Sequence, residues 1–494
     1  MLTRLKIKGF KNLVDVDLRF GPFTCIAGAN GVGKSNLFDA INFLAALTDK
    51  PLLDAAQSLR ASDVRQGDFR NIFNHVGDAL GRTISFEAEM LIPEEGRDDL
   101  GQTAKARTTF LRYELVLRRR DDEEDLGPGL TIQKEALVSI KRSDTPAHLP
   151  FVKNRRWIES VAHGRRAGPY ISTGNNNQII KLHGDGGRTG RARELVAPQL
   201  VRTVLSSVNA AESPTALLAR REMQSWQMLQ LEPTALRSPD DYAASSRLAL
   251  NGAHAPATLA RLARFKRPSD LNSERAQRVF AQIANRLSEL VPGIRSLDLD
   301  PDERRQLLSI VVTDASSTRH PARVLSDGTL RFLALAILEQ DPEFQGLLCL
   351  EEPENGIHPA RIEPMLRLLK SIAVSTDDSV DDENPMRQVI INTHSPSIVA
   401  LVDQDDLLYA SPSPVLNEQS QGESVGFEYL ADTWRSVADP RARVISRANL
   451  LAYLNPLVGR EDLPPGRTRV RDRMDLQLFL PHPSFAVHER PTGR

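Results

Sequence analysis

The stretch Gly28-Ala29-Asn30-Gly31-Val32-Gly33-Lys34-Ser35 decides which fold is expected for this chain. It fits the pattern G-x-x-x-x-G-K-[ST], it follows an apolar run at 23–27, and apolar residues at helical spacing follow it from 37 to 44. A strand, a glycine-rich turn and a helix in this order aim backbone N–H groups and the positive end of a helix dipole at a phosphate. The stretch therefore predicts a site for a nucleoside triphosphate.

The residues of this loop have separate predicted roles. Lys34 offers its ammonium group to the β- and γ-phosphate oxygens, and Ser35 offers its hydroxyl to Mg²⁺. The glycines let backbone N–H groups close around the β-phosphate because no Cβ stands in the way. The loop residues that we expect to contact the nucleotide are Gly28, Asn30, Gly31, Gly33, Lys34, Ser35 and Asn36.

The composition predicts a soluble, cytoplasmic protein. The chain has 494 residues, of which 40% are hydrophobic and 26% are charged, and its net charge is −1. This balance gives no global attraction to nucleic acid or membrane. No apolar run approaches the ~18 residues of a membrane span, and the first residues alternate as in a strand rather than a signal peptide. Cys25 and Cys349 lie in apolar runs and are expected to be reduced core residues.

Hydrophobic periodicity and composition divide the chain into four segments. Residues 1–140 contain an antiparallel strand pair, the phosphate loop and further strands, and 141–270 form a basic insertion that is partly helical. Residues 271–410 return to helix and strand patterns, and 411–494 form a C-terminal extension without a motif. The later elements expected are strands at Thr83–Leu91, Thr109–Leu117, Leu130–Ile140, Leu307–Thr313, Gln345–Leu350 and Gln388–Asn392, and helices near Ala192–Ser206, Pro214–Met228, 279–290 and Pro359–Ala373.

Positive charge is concentrated in the insertion. Between Lys141 and Arg202 there are twelve Lys and Arg residues against four Asp and Glu, with Trp157 and Tyr170 among them. A basic surface that carries aromatic side chains is a candidate for binding the phosphate backbone of a nucleic acid. The alternative is a solvated, loop-rich segment whose arginines pair with acids elsewhere. A second basic set is Arg467, Arg469, Arg471 and Arg473. It forms either one face of an extended strand or mobile charge in a proline-containing tail.

Three later segments restrict the class of nucleotide-binding protein. In the first, Ser326-Asp327-Gly328 opens an apolar helix and can aim a hydroxyl and backbone N–H groups at an anion, or Ser326 can simply cap the helix. In the second, an apolar strand ends in Glu351 and Glu352. One carboxylate can hold the water shell of Mg²⁺, and the next can accept a proton from the attacking water. In the third, His394 follows another apolar strand, at the carboxyl edge where α/β sheets bind ligands.

In this order, the segments resemble the ABC-type ATPases, in the branch that includes RecF, the SMC-like proteins and the OLD-family ATPases. The resemblance covers about 1–140 and 270–410. Its motifs are Ile7-Lys8-Gly9-Phe10-Lys11-Asn12, Asn30-Gly31-Val32-Gly33-Lys34-Ser35-Asn36 and Glu351-Glu352-Pro353-Glu354-Asn355-Gly356-Ile357-His358-Pro359. It implies an α/β P-loop NTPase fold of the ABC-ATPase type, with a mixed sheet, antiparallel N-terminal strands and a largely helical insertion. It also implies Mg²⁺-dependent hydrolysis of ATP.

The resemblance implies roles for the residues around the phosphates. Glu352 matches the general base and His394 matches the switch histidine that senses the γ-phosphate, so both are candidate catalytic residues. Glu351 matches the acid on the Mg²⁺ side, where many relatives have Asp. With Ser35 it forms the candidate metal site.

The resemblance also implies roles for residues that contact a second subunit and for residues that lie near the nucleotide. Ser326 and Gly328 match the signature motif that contacts the γ-phosphate held by the opposite subunit, which implies a homodimer on ATP binding. Lys11 and Asn12 would lie near the nucleotide. Gln66 is the candidate for the glutamine loop.

The biological role implied is that of a DNA-associated or anti-phage defence ATPase that regulates a separately encoded effector, such as a nuclease or toxin. The alternatives are the nucleotide-binding subunit of a membrane transporter, an OLD-like nuclease and a P-loop kinase. Transporter subunits usually have half this length and Asp-Glu in place of Glu351-Glu352. The about 100 residues after His394 lack the acidic motifs of OLD nucleases, and sustained heptads for an SMC coiled coil are absent. A kinase conflicts with the segments of Ser326 and His394.

Overall fold

The computed structural model describes residues 1–59, 68–76, 79–120, 129–174, 176–185, 192–417, 420–439 and 442–454. The chain divides into two compact units, Met1–Ser446 and Arg447–Arg494. The predictions that lie outside the described residues are the glutamine loop at Gln66, the basic residues Arg188 and Arg191, and the four arginines at 467–473. No helix in the described ranges is long and apolar enough to cross a membrane.

Strands and mostly short helices follow one another along the chain. The strands are β1 (Leu2–Phe10), β2 (Leu13–Arg19), β3 (Phe23–Ala27), β4 (His75–Val76), β5 (Ala79–Leu80), β6 (Thr83–Leu91), β7 (Glu95–Arg97), β8 (Thr103–Lys105), β9 (Phe110–Arg120), β10 (Gly129–Ser139), β11 (Ile171–Thr173), β12 (Ile179–Leu182), β13 (Arg193–Val196), β14 (Gln227–Leu229), β15 (Asp240–Asp241), β16 (Ile294–Asp302), β17 (Leu307–Asp314), β18 (Arg319–Pro321), β19 (Gly346–Glu351), β20 (Arg387–Thr393), β21 (Leu407–Asn417), β22 (Ser420–Tyr429) and β23 (Arg443–Val444). The α-helices are α1 (Lys34–Ala46), α2 (Leu52–Gln57), α3 (Thr145–His148), α4 (Arg155–Val161), α5 (Pro214–Gln224), α6 (Pro233–Arg237), α7 (Ala255–Leu262), α8 (Glu274–Leu290), α9 (Asp327–Gln340), α10 (Ile362–Ile372), α11 (Pro396–Leu401), α12 (Trp434–Ala438) and, in the second unit, α13 (Arg447–Leu454).

An antiparallel sheet contains eight strands in the order β13-β12-β11-β10-β9-β6-β1-β2. Its side chains alternate between a buried face and an exposed one because successive residues of a strand point to opposite sides. Along β1, Leu5 and Ile7 are buried, whereas Lys6 and Lys8 lie on the other face. The antiparallel N-terminal pair and the strands expected near β6, β9 and β10 are confirmed.

A second sheet contains seven strands in the order β14-β19-β20-β3-β21-β22-β23, and its first five strands are parallel. The strand β20 is buried along its whole length, as expected for a parallel strand covered on both faces. The register pairs Glu351 with Asn392 and Ala27 with Thr393. The carboxyl ends of β3, β19 and β20 therefore lie side by side, and the expected α/β fold with a mixed set of strands is confirmed.

Helix α1 joins the two sheets through one hydrophobic core. It begins directly after the phosphate loop, and its Phe43 contacts the rings of Phe10 in β1 and Phe86 in β6, each with a centroid distance of 5.9 Å. Leu37 of α1 belongs to the same buried cluster as Ile390 of β20. Full burial of each such side chain stabilises the fold by about 1.5–3 kcal/mol. The loop that precedes α1 is thus fixed by packing on both sides.

The helix expected at Ala192–Ser206 is wrong. This segment contains the strand β13 and two short 3-10 turns, Ala197–Gln199 and Leu205–Ser207. Pro198 cannot donate a helical hydrogen bond, and the frequent valines favour extended backbone. The helices expected at 279–290 and Pro359–Ala373 are confirmed as α8 and α10. The helix expected at Pro214–Met228 is confirmed as α5 only as far as Gln224, because β14 begins at Gln227.

The division into four segments stays a prediction, but all four contribute strands to the seven-stranded sheet. Within 141–270, β11–β13 extend the antiparallel sheet and β14 begins the parallel one. The extension after 410, for which no motif is visible, supplies β22 and β23 to the parallel sheet. It also supplies Arg435, a buried residue whose guanidinium donates hydrogen bonds to the carbonyl oxygens of Arg19 and Asp405 and to the hydroxyl of Thr24.

Candidate functional site

The phosphate loop lies between the carboxyl end of β3 and the first turn of α1. Its glycines have φ angles of 154° at Gly28, 80° at Gly31 and 103° at Gly33, a region that side chains with a Cβ rarely adopt. A Cβ at Gly28 would stand 2.4 Å from the carbonyl oxygen of Ala410, and one at Gly33 would stand 2.0 Å from Nδ2 of Asn12. Both conformation and space therefore require glycine here.

Lys34 is held at the centre of this loop. Its buried side chain donates hydrogen bonds from Nζ to the carbonyl oxygens of Gly28 and Ala29, both at 2.8 Å. Burial lowers the pKa of Lys34, and the nearby carboxylates of Glu352 and Glu351 oppose that shift. A compact cation next to the loop backbone is the arrangement that a triphosphate needs.

Asn12 supports the loop from the turn between β1 and β2. Its Nδ2 donates to the carbonyl oxygen of Val32 at 2.9 Å, and its Oδ1 accepts from Nδ2 of Asn36 at 2.8 Å. Lys11 lies beside it with a left-handed backbone, and its Nζ is 2.6 Å from the carboxylate of Asp39 in α1. The structure thus brings Lys11, Asn12 and Asn36 to the loop, where each has a protein partner.

Asn392, which sequence analysis did not select, connects the loop with the acids. Its buried amide donates to Oγ of Ser35 at 3.4 Å and to Oε1 of Glu351 at 3.3 Å. The hydroxyl, the carboxylate and the amide come from three different segments that meet at the edge of the parallel sheet. Hydroxyl and carboxylate oxygens are ligands that Mg²⁺ accepts. A polar residue at the end of an otherwise apolar strand was the only signal for Asn392 in the sequence.

Glu352 and His394 form a direct pair. Oε1 of Glu352 is 2.8 Å from Nδ1 of His394, and Oε2 accepts a hydrogen bond from Nδ2 of Asn355 at 2.7 Å. Burial raises the pKa of Glu352, but these hydrogen bonds and the charge of Lys34 outweigh it, so that the net pKa is lowered. Glu352 is therefore ionised at neutral pH and can accept a proton. Its φ of 47° is left-handed, a conformation that costs a non-glycine residue about 1–3 kcal/mol.

The structure places Gln230 in the same cavity as the acids Glu351 and Glu352. This glutamine directly follows β14, the strand that runs parallel to β19. Together with Glu351, Glu352 and Arg331 it lines a cavity of about 260 Å³. Little in the sequence indicates Gln230, because β14 has three residues and shows no clear periodicity.

The signature segment lies at the start of α9. Ser326 is exposed and caps the helix, because its Oγ accepts a hydrogen bond from the backbone N–H of Thr329 at 3.3 Å. Gly328 lies against the loop that follows Glu352, since a Cβ there would stand 2.4 Å from the carbonyl oxygen of Gly356. Ser326 thus caps α9 within a single copy of the chain, as one of the two interpretations of the sequence expected. The contact with a nucleotide on a second copy stays a prediction.

The aromatic residues of the basic stretch are core residues. Trp157 and Tyr170 are both 0% exposed, so neither ring is available to stack on a base. The guanidinium of Arg166 lies over the ring of Tyr170 at 4.1 Å. The described residues of the stretch that are exposed and positively charged are Lys141, Arg142, Lys153, Arg155, Arg156, Arg165, Arg193 and Arg202. The described part of the stretch therefore offers exposed positive charge, while Trp157 and Tyr170 belong to the core.

The residues of the site fit ATP and Mg²⁺. The loop offers its backbone for phosphate binding, since Gly28 and Gly33 leave no room for a Cβ, and Lys34 offers its ammonium group. Ser35 and Glu351 offer oxygen atoms that one amide group holds together. Glu352 offers an ionised carboxylate next to them.

Two known families match this chain. Residues 4–161, which contain the phosphate loop, match the family described as "AAA domain". Residues 224–400, which contain Gln230, Ser326, Glu352 and His394, match the family described as "AAA domain, putative AbiEii toxin, Type IV TA system".

Curated relatives share short segments with the chain. The DNA replication and repair protein RecF of Paenarthrobacter aurescens (strain TC1) is 44% identical over 59 residues, which are 10% of this chain and 15% of the relative. The OLD nuclease of Thermus scotoductus is 42% identical over 71 residues, which are 14% of this chain and 12% of the relative. The chain thus spans less than a sixth of the length of these relatives.

Solved structures of SMC heads align with most of the chain at low identity. The SmcHead bound to the C-winged helix domain of ScpA is 17% identical with a TM-score of 0.44, over 87% of this chain and 98% of that chain. The SMC head domain from Thermotoga maritima is 12% identical with a TM-score of 0.34, over 87% of this chain and 98% of that chain.

Proposed function

We propose that this chain, which carries AAA-type ATPase domains of the RecF-like and OLD-like branch, binds ATP with Mg²⁺ and hydrolyses it at Glu352. The observation that carries the proposal is the 2.8 Å contact between Glu352 and His394. It lies in the same edge of the parallel sheet as the phosphate loop. A proton acceptor, a partner that orients it and a phosphate cradle are the parts that phosphoryl transfer to water requires.

The triphosphate would bind in the loop 28–36. The ammonium group of Lys34 would exchange the carbonyl oxygens of Gly28 and Ala29 for the β- and γ-phosphate oxygens. Mg²⁺, when bound, would neutralise charge on the phosphates and be held by the oxygens of Ser35 and Glu351. Asn392 keeps those two residues together.

Hydrolysis would proceed by attack of water on the γ-phosphorus. The new bond forms between the water oxygen and phosphorus, and the bond from phosphorus to the β–γ bridging oxygen breaks, so that ADP and phosphate are released. A proton of the water moves to the ionised carboxylate of Glu352. His394 and Asn355 hold that carboxylate through one oxygen each.

A second copy of the chain would complete the site. Ser326 is exposed at the start of α9, where a hydroxyl, backbone N–H groups and the helix dipole can meet an anion. The contact would exist only while the γ-phosphate is present, so that ATP favours the dimer and hydrolysis releases it. The nucleotide then acts as a switch.

Three variants test the site and the dimer. We expect Lys34→Ala to lose ATP binding, and Glu352→Gln to bind ATP but to turn it over at least about 100-fold more slowly. Light scattering should show a dimer for Glu352→Gln with ATP and a monomer without it. Glu363→Gln, an exposed acid on α10, is the matched control and should behave as the wild type. Steady ATPase activity in Lys34→Ala, or only monomer in Glu352→Gln with ATP, would contradict the proposal.

A DNA-associated role is the second part of the proposal. It is supported by the name of the RecF relative and by the exposed charges of the basic stretch. Filter binding should show affinity for duplex DNA that falls steeply with salt and does not depend on sequence. Arg155→Glu with Arg156→Glu should weaken it, whereas Arg304→Glu with Arg305→Glu, on the turn between β16 and β17, should not. DNA binding whose affinity does not change with salt concentration would contradict the DNA-associated role.

Control of a separately encoded effector, in defence against phage, is the broadest part of the proposal. Its support is the toxin–antitoxin description of the family that matches 224–400. Incubation of the pure protein with plasmid, Mg²⁺ and Mn²⁺ distinguishes this role from an OLD-like nuclease. We expect intact plasmid, and cleavage would favour the nuclease.

A further inference from the structure

A ladder of side-chain contacts joins the loop after β19 to the end of β20. The last two residues of β20 and the residue that follows them each contact one of three carboxylates: Asn392 contacts Glu351, Thr393 contacts Glu354 and His394 contacts Glu352. The outer contacts belong to the metal side and to the general base. The middle contact touches neither and has no role in the hydrolysis described above.

The middle contact differs from its neighbour in burial. Thr393 is 0% exposed and Glu354 is 9% exposed, whereas the side chains of His394 and Glu352 are 40% and 36% exposed. The Thr393 hydroxyl donates to Oε1 of Glu354 and accepts from the backbone N–H of Ser395 at 2.9 Å. Both bonds fix the hydroxyl rotor, so the buried pair is the more rigid of the two.

Glu354 has no other side-chain bond among the described residues. Its Oε2 is buried without a hydrogen-bond partner, and burial raises the pKa of its carboxyl group. Its backbone oxygen accepts from the N–H of Ile357 at 2.9 Å, directly after the turn that begins at Glu352 and is closed by the bond from the N–H of Asn355 to the carbonyl oxygen of Glu352 at 3.0 Å. The hydrogen bond from Thr393 to the side chain of Glu354 therefore connects this turn to β20.

The turn that is tied in this way contains a strained residue. Glu352 keeps its left-handed backbone while its N–H donates to the carbonyl oxygen of Asn392 at 2.8 Å. Such a conformation persists only where the surrounding contacts determine it. If the turn shifted relative to β20, the contact between Glu352 and His394 would change, because Glu352 belongs to the turn and His394 directly follows β20.

We propose that Glu354 and Thr393 are positioning residues, whose buried hydrogen bond sets the distance between Glu352 and His394. This inference rests on the proposed ATP hydrolysis at Glu352. A carboxylate displaced by about 1 Å from its reacting proton loses about 100-fold in rate, whereas the phosphate loop that binds ATP is a separate segment. The pair should therefore act on turnover and leave ATP affinity unchanged.

The decisive variant is Thr393→Val, which removes the hydroxyl and keeps the shape of the side chain. We expect kcat to fall about 100-fold, with the Kd for a fluorescent ATP analogue within about twofold of the wild type. Thr393→Ser keeps the hydroxyl and should restore kcat to within about threefold. Glu354→Gln replaces a charged acceptor by a weaker neutral one and should lower kcat by about tenfold.

A matched control separates this role from general stability. Thr258 is 0% exposed in α7, and its hydroxyl donates to the carbonyl oxygen of His254. Thr258→Val removes an equally buried hydroxyl and should leave kcat unchanged even if Tm falls. If Thr258→Val lowers kcat as much as Thr393→Val does, the effect is structural and the inference is overturned.

The outcomes distinguish this inference from the proposed function. A wild-type protein without ATP turnover would refute the proposed function, and this inference would fall with it. Turnover in the wild type with unchanged kcat in Thr393→Val and Glu354→Gln would overturn the inference alone. A loss of ATP affinity in Thr393→Val as large as the loss of kcat would also overturn it.

Discussion

The two large sheets use charged residues in opposite ways. The antiparallel sheet carries charged residues that pair with one another across neighbouring strands, as Arg4 does with Asp17 and Lys134 with Glu114, both at 2.6 Å. The parallel sheet is buried along its central strands, and the acids at the carboxyl end of β19 lie close enough to Lys34 to interact with its charge. Charges that neutralise one another across a face leave little net field. Charges that converge at one edge make a site.

The same contrast appears in one acid from each sheet. Glu135 in β10 is fully buried and accepts hydrogen bonds from the backbone N–H groups of Val204 and Leu205, both at 2.8 Å, and from the hydroxyl of Tyr113. Burial nevertheless raises its pKa from an ordinary 4.5 to about 7. Glu352 has a lowered pKa because its hydrogen bonds outweigh a smaller burial. Burial in the core of one sheet favours the neutral acid, and the edge of the other keeps the ionised base.

The largest effect is expected for Gly33→Ala, at the edge of the parallel sheet. The new Cβ would clash with Asn12, and its φ of 103° would add strain of about 1–3 kcal/mol. ATP affinity should fall by about 100-fold, because the loop must leave the conformation in which its backbone N–H groups surround the phosphates. Titration with a fluorescent ATP analogue and urea denaturation measure the two effects.

Gly101→Ala is the control for this prediction. Gly101 has a φ of 80° and no atom within 4 Å of a Cβ, so it tests the backbone strain without the clash and away from the site. It should cost a similar free energy of unfolding and leave ATP affinity unchanged. Equal ATP affinities for Gly33→Ala and Gly101→Ala would show that the loop at the carboxyl edge of the parallel sheet does not bind the nucleotide.

A smaller effect is expected for Glu135, as a function of pH. Because its folded pKa lies above the ordinary 4.5, its contribution to stability is complete below that value and is lost as pH rises towards about 7. The free energy of unfolding should therefore fall with pH by on the order of 2 kcal/mol between pH 5 and 8 through this group. Glu135→Gln should flatten that slope in urea denaturation at several pH values. An unchanged slope would show that the core of the antiparallel sheet tolerates the charge.

The smallest effect is expected for Lys134→Ala, on the exposed face of the antiparallel sheet. Its ion pair with Glu114 is about half exposed on the lysine side, so the loss should be about 0.2–1 kcal/mol and should shrink at high salt. ATP turnover should not change. A loss above about 2 kcal/mol would show that the charged face stabilises the fold far more than exposed pairs do.

Local patterns predicted much of the fold correctly. The strands β6, β10, β19 and β20 lie within one residue of their expected ranges, and β9 within three, because strand alternation and apolar runs are properties of neighbouring residues. The helix expected at Ala192–Ser206 failed because Pro198 and the β-branched residues favoured pairing with β12. The strand β21 was not anticipated, since its pairing with β3 is a long-range contact that leaves no local motif, and β22 and β23 extend the sheet from β21.

The site was predicted in part for the same reason. The phosphate loop and the acids after β19 stand in short motifs, and the structure brings them together as expected. Gln230 and Asn392 were missed because an amide side chain has no distinguishing pattern until a neighbouring strand places it beside Glu351. Trp157 and Tyr170 seemed to belong to a basic surface, but burial decided against it.

The sequence by itself determined the phosphate cradle, because glycine conformation, a lysine and a helix start act within nine residues of one another. It also determined the order of strands and acids in which the chain resembles the ABC-type ATPases. Only the tertiary structure decided which side chains hold the acids in place, and which of the many charges converge rather than cancel. Those contacts join segments such as Ser35 and Asn392, which are hundreds of residues apart and meet only because parallel strands align their carboxyl ends.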